Sequence, residues 1–301
     1  IIAVLLIIMA AIIGVKYFFL GYTFNAIVPQ PNYSVSLKMS FTGNGDDVVV
    51  RTFLPVNEQN QVISNEYIGG DGLSFRKEIN SLYTRGDWTE TQAEGSYTIN
   101  HSFTAMIRAM KFNISPDLKI PDRYDESLDY FLKSTDVIQV NDPIIVNLAE
   151  ILKGDDYYIL DIVKSLFDYV YAMGARPFKG TTDAVTAAKL QEASCNGKSR
   201  LFSALARHLN IPSRLVGGLI LSSGSKRTSH QWIELYIAGH WVPFDTLNGY
   251  FAELPGNYLS LYRGDESLFR HSSNIGFDYR FEIRKKTLTN NRLEGFLEAS
   301  P

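Results

Sequence analysis

Cys195 is the only cysteine of the chain, and it stands where a catalytic thiol is expected. It directly precedes a helical stripe of apolar residues that ends near Pro212. The unpaired N–H groups and the positive dipole end of a helix N-terminus stabilise an anion and lower a thiol pKa. A small buried hydrophobic residue is the commoner role of a free cysteine, so the position alone leaves both interpretations open.

A hairpin downstream supplies an imidazole and a carboxylate. A two-residue turn at 238–239 would pair Ile237 with His240. In that register His230 and Asp245 project from the same face, roughly 7–8 Å apart at the backbone, a span that their side chains can bridge. A three-residue loop would place Asp245 on the opposite face.

These three residue types are the set that thiol catalysis needs. We expect Cys195 to act as nucleophile, His230 as base and Asp245 as the carboxylate that fixes the imidazole tautomer. The backbone N–H of Cys195 is one expected donor to the oxyanion, and the weaker candidates for a second donor are Gln191 and Trp232.

Several ordered motifs resemble the core of transglutaminase-like proteins: Cys195 with its helix to Arg207, Asn210-Ile211-Pro212-Ser213-Arg214, His230-x-Trp232-x-Glu234 and Trp241-x-Pro243-x-Asp245. The resemblance covers about residues 140–260. It implies a papain-like fold and the same roles for Cys195, His230 and Asp245.

The whole chain looks like a narrower bacterial family, described as inactive transglutaminase fused to seven transmembrane helices. That resemblance implies an extracytoplasmic globular part and further membrane helices after Pro301. Two positions depart from the superfamily pattern: Ala193 stands where glycine is common, and Asn196-Gly197-Lys198 stands where an acidic residue often occurs. Neither departure removes a catalytic atom, so the intact triad conflicts with the description "inactive".

The N-terminal segment, residues 1–22, is predicted to be a transmembrane helix. It carries no charge before Lys16 and ends in an aromatic cluster suited to a membrane interface. A secretory signal peptide is the alternative, but the basic leader and the small-residue cleavage pattern are missing. Because residues 23–36 contain no Lys or Arg, the positive-inside rule favours placing the globular region outside the cytoplasm, and the family resemblance implies a bacterial inner membrane with that region in the periplasm.

The soluble part has an α+β pattern. Alternating apolar residues predict a small β-sandwich at 31–112, followed by a linker at 113–140. Helical stripes and then strands, the last at 277–284, predict helices packed on an antiparallel sheet in a transglutaminase-like domain at 141–285. A C-terminal segment, 286–301, would lead to the membrane region.

Composition excludes several classes of protein. The net charge of −3 argues against a nucleic-acid surface. One cysteine cannot form an intramolecular disulfide or the usual cysteine-rich structural zinc site. No metal and no cofactor are expected, and the expected partners are the lipid bilayer and a peptide or amide substrate or ligand.

Three functions remain open at this stage. The first is thiol-dependent acyl transfer or hydrolysis of a peptide or amide, with hydrolysis favoured because water is the abundant acceptor. The second is a catalytically inactive peptide-binding or sensing module coupled to membrane helices. The third, weaker option, suggested by family resemblance, is a scaffold for a peptide ligase of the ATP-grasp type.

Overall fold

The structure, a computed structural model, describes residues 31–176 and 182–286, together with Val4 and Met9. The predicted membrane helix at 1–22 lies outside the described residues except for those two positions, and so does the predicted C-terminal segment beyond Lys286. In the part of the chain that is described, no helix is both long enough and apolar enough to cross a bilayer.

Within residues 31–176 and 182–286 the chain forms four α-helices and eighteen strands. The helices are α1 (Pro143–Lys153), α2 (Ile159–Ala172), α3 (Ala184–Leu190) and α4 (Cys195–His208), preceded by a 3-10 helix at Glu126–Leu132. The strands are β1 (Asn32–Asn44), β2 (Val48–Leu54), β3 (Gln61–Gly70), β4 (Ser74–Ile79), β5 (Thr84–Glu90), β6 (Glu94–Ile107), β7 (Met110–Lys111), β8 (Gly174–Ala175), β9 (Glu192–Ala193), β10 (Ser213–Ile220), β11 (Gly224–Lys226), β12 (His230–Ile237), β13 (His240–Asp245), β14 (Tyr250–Phe251), β15 (Glu253–Leu254), β16 (Tyr258–Arg263), β17 (Phe269–His271) and β18 (Asp278–Lys286).

The first half of the chain folds into a β-sandwich, as its alternating pattern predicts. One sheet has the strand order β11-β18-β1-β6-β3 and the other β17-β2-β5-β4. Along β1 the apolar residues are buried at every second position, since successive side chains of a strand point to opposite faces. Their packing partners on the facing sheet include Val48, Val50 and Trp88.

The second half packs helices on an antiparallel sheet, as the sequence analysis predicts. Its sheet, called the core sheet below, has the order β14-β13-β12-β10-β16. Helix α1 begins where Asp142 caps it, accepting a hydrogen bond from the N–H of Ile144, with Pro143 at its first position. Helix α2 buries the predicted apolar stripe against α4 and the core sheet.

The two halves share strands, which the sequence analysis did not foresee. It assigned residues 277–284 to the second domain, but β18 pairs with β1 of the sandwich, with Val35 opposite Ile283. Strands β11 and β17 also join the sandwich sheets. Apolar alternation fixes which face of a strand is buried but not which strand it joins, so the pairing had no local signal.

Candidate active site

The thiol of Cys195 lies at the first residue of α4 and is half-buried. The first N–H groups of a helix have no intrahelical partner. The side chain of Ser194, the residue that caps α4, makes no capping hydrogen bond within the described chain. The backbone N–H of Asn196 therefore remains free to donate to the Cys195 sulfur, and the N–H of Gln231 on β12 donates to it as well.

The imidazole and the carboxylate come from the hairpin β12–β13. Its turn at 238–239 has two residues with positive φ, 51° and 84°, as a type I′ turn requires. Ile237 pairs with His240, so the predicted register is confirmed. His230 and Asp245 consequently share a face, and Nε2 of His230 lies 2.6 Å from Oδ2 of Asp245.

The carboxylate of Asp245 is buried and fully hydrogen-bonded. Oδ1 accepts from the backbone N–H groups of Leu247 and Asn248 at 2.9 and 3.1 Å. Oδ2 accepts from the Asn248 side-chain amide at 2.8 Å and from the Tyr258 hydroxyl at 2.7 Å, in addition to His230. Burial by itself would raise the pKa of Asp245, but the hydrogen bonds from His230, Tyr258 and Asn248 lower it below its ordinary value.

The thiol and the imidazole shift each other's pKa toward an ion pair. Burial opposes both charges, but the hydrogen bonds and opposite charges of Asp245 and Cys195 raise the pKa of His230 to about 9. In the same way, burial would raise the pKa of Cys195, while the hydrogen bond and charge of His230 lower it. Since Nε2 is occupied by Asp245, Nδ1 is the ring nitrogen left for the thiol.

A buried lysine lies behind this group. Lys198 is one turn after Cys195 on α4 and is 1% exposed, and its Nζ donates to the carbonyl oxygens of Tyr171 and Met173 at 3.0 and 2.8 Å. The pKa of Lys198 lies below its ordinary value, because burial lowers it by more than the nearby charge of Asp245 raises it. This lysine ties the first turn of α4 to the C-terminal end of α2, so Lys198, one of the residues that depart from the superfamily pattern, has a structural role.

Of the two weaker oxyanion candidates, Gln191 has its side-chain amide bonded elsewhere, whereas the side-chain N–H of Trp232 is not engaged by any described residue. Nε2 of Gln191 donates to the Tyr169 hydroxyl and to the Ala188 carbonyl, because Gln191 ends α3 in a left-handed conformation with φ 54°. Trp232 stacks on the His230 ring, with 6.3 Å between centroids. Its buried Nε1 finds no hydrogen-bond partner among the residues described.

Sequence analysis missed Asn248 and Tyr258. Asn248 lies three residues after Asp245 in the turn that follows β13, a spacing typical of side chains that bond within a turn. Tyr258 begins β16, which joins the core sheet through β10 rather than through β13, so no sequence spacing relates it to Asp245.

A cleft of about 300 Å³ is lined by His230 and by Asn196, the residue that follows Cys195, although not by Cys195 itself, and is called the thiol cleft below. The transglutaminase-like half contributes Asn196, His230 and Gln231 to its lining, and the sandwich contributes Phe269 and Tyr279. The described residues contain no group of three or more His, Cys, Asp or Glu side chains arranged to hold a metal ion.

Comparison with known proteins agrees with this architecture. Residues 148–246 match the family model of the transglutaminase-like superfamily. No curated protein sequence matches the chain. The crystal structure of a "putative cysteine protease" from Cytophaga hutchinsonii superimposes with a TM-score of 0.66 at 16% identity, covering 87% of this chain and 92% of that one, which shows a shared fold.

Two further solved structures are more distant. The periplasmic domain of TgpA from Pseudomonas aeruginosa gives a TM-score of 0.34 at 10% identity, covering 72% of this chain and 89% of that one. A protease-like structure from Parabacteroides distasonis gives 0.31 at 12% identity, covering 69% and 43%. Scores this low add nothing about the fold. The family match and the Cytophaga fold together confirm the resemblance seen in the motifs: this chain carries a domain of the transglutaminase-like superfamily at residues 148–246.

Proposed function

We propose that the protein is a thiol enzyme that cleaves or transfers the acyl group of a peptide or amide substrate, with Cys195 as nucleophile. The observation that carries the proposal is the 2.6 Å contact between Nε2 of His230 and Oδ2 of a buried Asp245, beside a thiol at a helix N-terminus. A cysteine with a purely structural role does not require an imidazole beside it. A histidine with a purely structural role does not require a partner carboxylate that four further donors hold in place.

The first half-reaction follows from these contacts. Nδ1 of His230 holds the proton of the Cys195 thiol, and the thiolate attacks the carbonyl carbon of the substrate to form a C–S bond. The carbonyl electron pair moves onto oxygen, and we propose that the backbone N–H of Cys195, at the start of α4, donates a hydrogen bond to this oxyanion. When the oxyanion collapses, the C–N bond breaks and His230 gives its proton to the departing amine.

The second half-reaction releases the acyl group. His230 takes a proton from water as the water oxygen attacks the thioester, and the Cys195 thiolate leaves when the C–S bond breaks. An amine that entered the thiol cleft in place of water would be acylated instead. Hydrolysis is proposed as the main outcome because water is the abundant acceptor and the two carboxylates of the lining, Asp265 and Glu266, are already paired with Arg200 and Arg270.

The proposal is tested by the pH dependence of alkylation with iodoacetamide, which reacts with thiolates. We expect the rate for Cys195 to persist well below about pH 8.5, where an ordinary thiol loses its charge. The matched control is Cys195 in the urea-unfolded protein, because the thiol then has the same sequence neighbours but no longer contacts His230 or the start of α4. If the folded and unfolded proteins show the same apparent pKa, the enzyme proposal is wrong and the inactive peptide-binding or sensing module is favoured.

We also propose that residues 1–22 anchor the protein in a bacterial inner membrane, with the described residues in the periplasm. The support is the uncharged run before Lys16 and the absence of Lys and Arg from residues 23–36. A fusion of alkaline phosphatase, which is active only outside the cytoplasm, placed after Lys286 should be active and membrane-bound. Activity that persists in the soluble fraction would contradict the anchor.

A further inference from the structure

A second cavity, of about 130 Å³, is lined by three arginine side chains. Arg51 and Arg270 are direct partners on the neighbouring strands β2 and β17, and Arg85 lies on β5, the strand on the other side of β2. We call this cavity the arginine pocket. Like charges placed directly opposite on neighbouring strands destabilise a sheet, and the one carboxylate opposite Arg51, that of Asp87 on β5, is shared with Arg76 and Arg85.

Arg51 is the least satisfied of the three. Its Nε is buried and has no hydrogen-bond partner anywhere in the described part of the chain. The nearest carboxylate, Oδ2 of Asp87, is 3.5 Å away and is also approached by Arg76 at 3.7 Å. A buried donor without an acceptor costs free energy, which a bound oxyanion would recover.

The other two arginines are only partly occupied. Arg85 donates to Asp87 at 2.7 and 3.2 Å and to Glu78 at 2.6 Å through Nε and Nη2. Arg270 donates through Nη2 to Glu266. A guanidinium group has five N–H donors in a planar fork, so each retains donors for another acceptor.

The net charge of the pocket is positive. Its lining contains Arg51, Arg85 and Arg270 against a single carboxylate, Glu266. When the carboxylates of Asp87 and Glu78 and the guanidinium of Arg76 are included, four cations face three anions. The surplus and the planar donors suit a carboxylate, which guanidinium groups bind in bidentate geometry.

The arginine pocket adjoins the thiol cleft. Glu266, Ser267 and Leu268 line both cavities, so this short segment forms the wall between them. The hydroxyl of Thr52 donates to the Leu268 carbonyl at 3.0 Å and holds the segment against β2. An extended ligand that crosses this segment can therefore occupy both cavities at once.

We infer that the arginine pocket is a subsite that binds a carboxylate of the substrate. The substrate is consequently a peptide that carries an acidic side chain or a free C-terminus close to the bond that is cleaved. The role of the subsite in substrate choice rests on the function proposed above. The presence of the anion site does not, since it depends on side chains that lie outside the triad.

The test compares two sets of iodoacetylated peptide amides that contain one to four glycines and end in glutamate or in glutamine. We expect the best glutamate reagent to alkylate Cys195 about tenfold faster than its glutamine counterpart at low salt, with the advantage falling as salt rises. In Arg51→Gln and in Arg270→Gln the advantage should shrink to about twofold or less. Arg270 is largely exposed, so its variant is expected to fold even if Arg51→Gln does not.

The matched control is the pair Lys38→Gln and Arg280→Gln. These residues are also direct cross-strand partners, on β1 and β18, but they lie in the other sandwich sheet and line neither the arginine pocket nor the thiol cleft. They should leave the glutamate advantage unchanged. The subsite proposal would be overturned if the glutamate and glutamine reagents reacted at equal rates for every number of glycines. It would also be overturned if the control variants lost as much of the glutamate advantage as the arginine-pocket variants.

Iodoacetamide separates the two proposals. Suppose that alkylation by iodoacetamide gives an ordinary pKa for the Cys195 thiol, while calorimetry shows that unreactive, acetylated glutamate peptides bind more tightly than the corresponding glutamine peptides. The subsite then stands and the enzyme proposal fails. If the thiol is activated but neither alkylation nor calorimetry distinguishes the two peptide sets, the subsite fails and the enzyme proposal stands.

Discussion

Each half of the protein holds a histidine against a carboxylate, and the two pairs differ in what surrounds them. In the sandwich, Nε2 of His101 lies 3.0 Å from Oε1 of Glu66. In the transglutaminase-like half, His230 and Asp245 are 2.6 Å apart. The His101 ring is the more buried of the two imidazoles, at 1% against 8% exposure. Burial of the imidazole therefore does not distinguish a candidate catalytic pair from a structural one.

The carboxylates show the difference. Glu66 is partly exposed, its other contact is Lys77 at 3.7 Å, and the hydrogen bond of His101 lowers its pKa. Asp245 is 1% exposed and accepts four hydrogen bonds besides that of His230. A carboxylate held in this way cannot turn away from the imidazole, and the imidazole it orients reaches a thiol. The sandwich pair has neither property.

The largest expected effect is loss of thiol activation when His230 is replaced. At pH 6.5 an ordinary thiol is about 1% ionised, so His230→Gln should slow alkylation by iodoacetamide on the order of 100-fold. His101→Gln, the same change in the sandwich pair, should leave the rate within about twofold. Equal losses in the two variants would mean that general destabilisation, rather than the imidazole at the site, governs the thiol.

The free energy of unfolding of Cys195→Ala, measured as a function of pH, sharpens the comparison. In this variant His230 and Asp245 form a pair without a thiol, as His101 and Glu66 do in the sandwich. In the proposed ion pair of the wild-type protein, the thiol proton resides on the imidazole. Between pH 6.5 and about 8.5, where the thiol of the unfolded chain is still protonated, the folded site would then bind as many protons as the unfolded chain, and its contribution to the free energy of unfolding would be nearly flat.

In Cys195→Ala only the imidazole gains a proton on folding. The hydrogen bond and charge of Asp245 still raise its folded pKa, although the contribution of Cys195 is lost. The stabilisation is therefore fully present below the unfolded value of 6.5 and disappears as the pH rises through a folded pKa that is lower than in the wild type. We expect the free energy of unfolding to fall by up to about 1.4 kcal/mol per pH unit relative to the wild type in this interval. Urea unfolding of both proteins at pH 6.5 and 8.5 measures this change. If the free energy of unfolding changed by the same amount in the two proteins, the Cys195 thiol would not transfer its proton to His230.

How much of this site the sequence could predict depends on how local its contacts are. The register that joins His230 to Asp245 follows from a two-residue turn, and turn geometry is fixed by adjacent residues. The position of Cys195 at a helix start follows from the apolar stripe after it. These features needed no knowledge of the rest of the fold.

The features that were missed depend on contacts between distant segments. Tyr258 reaches Asp245 only because β16 enters the core sheet beside β10, and β18 leaves the second half to pair with β1. Lys198 is an ordinary surface residue by pattern and becomes buried because the end of α2 supplies two carbonyl oxygens. The contact of Gln191 with Tyr169 likewise joins two helices and depends on the left-handed conformation that ends α3.

The smallest expected effect concerns one of the hydrogen bonds that distinguish the two carboxylates. Tyr258→Phe removes the 2.7 Å bond to Oδ2 of Asp245 and leaves three donors besides His230. We expect about 1–2 kcal/mol less free energy of unfolding and a two- to fivefold slower alkylation at pH 6.5, because the less firmly held carboxylate supports the charged imidazole less well.

Tyr83→Phe is the matching change in the sandwich, where the hydroxyl donates to Oε1 of Glu78 at a longer 3.4 Å. It should cost less stability and leave alkylation unchanged. If Tyr258→Phe lowered stability without altering the pH at which the thiol becomes reactive, the donors to Asp245 would serve packing alone. The contrast between the two histidine pairs would then rest on the thiol and not on how the carboxylate is held.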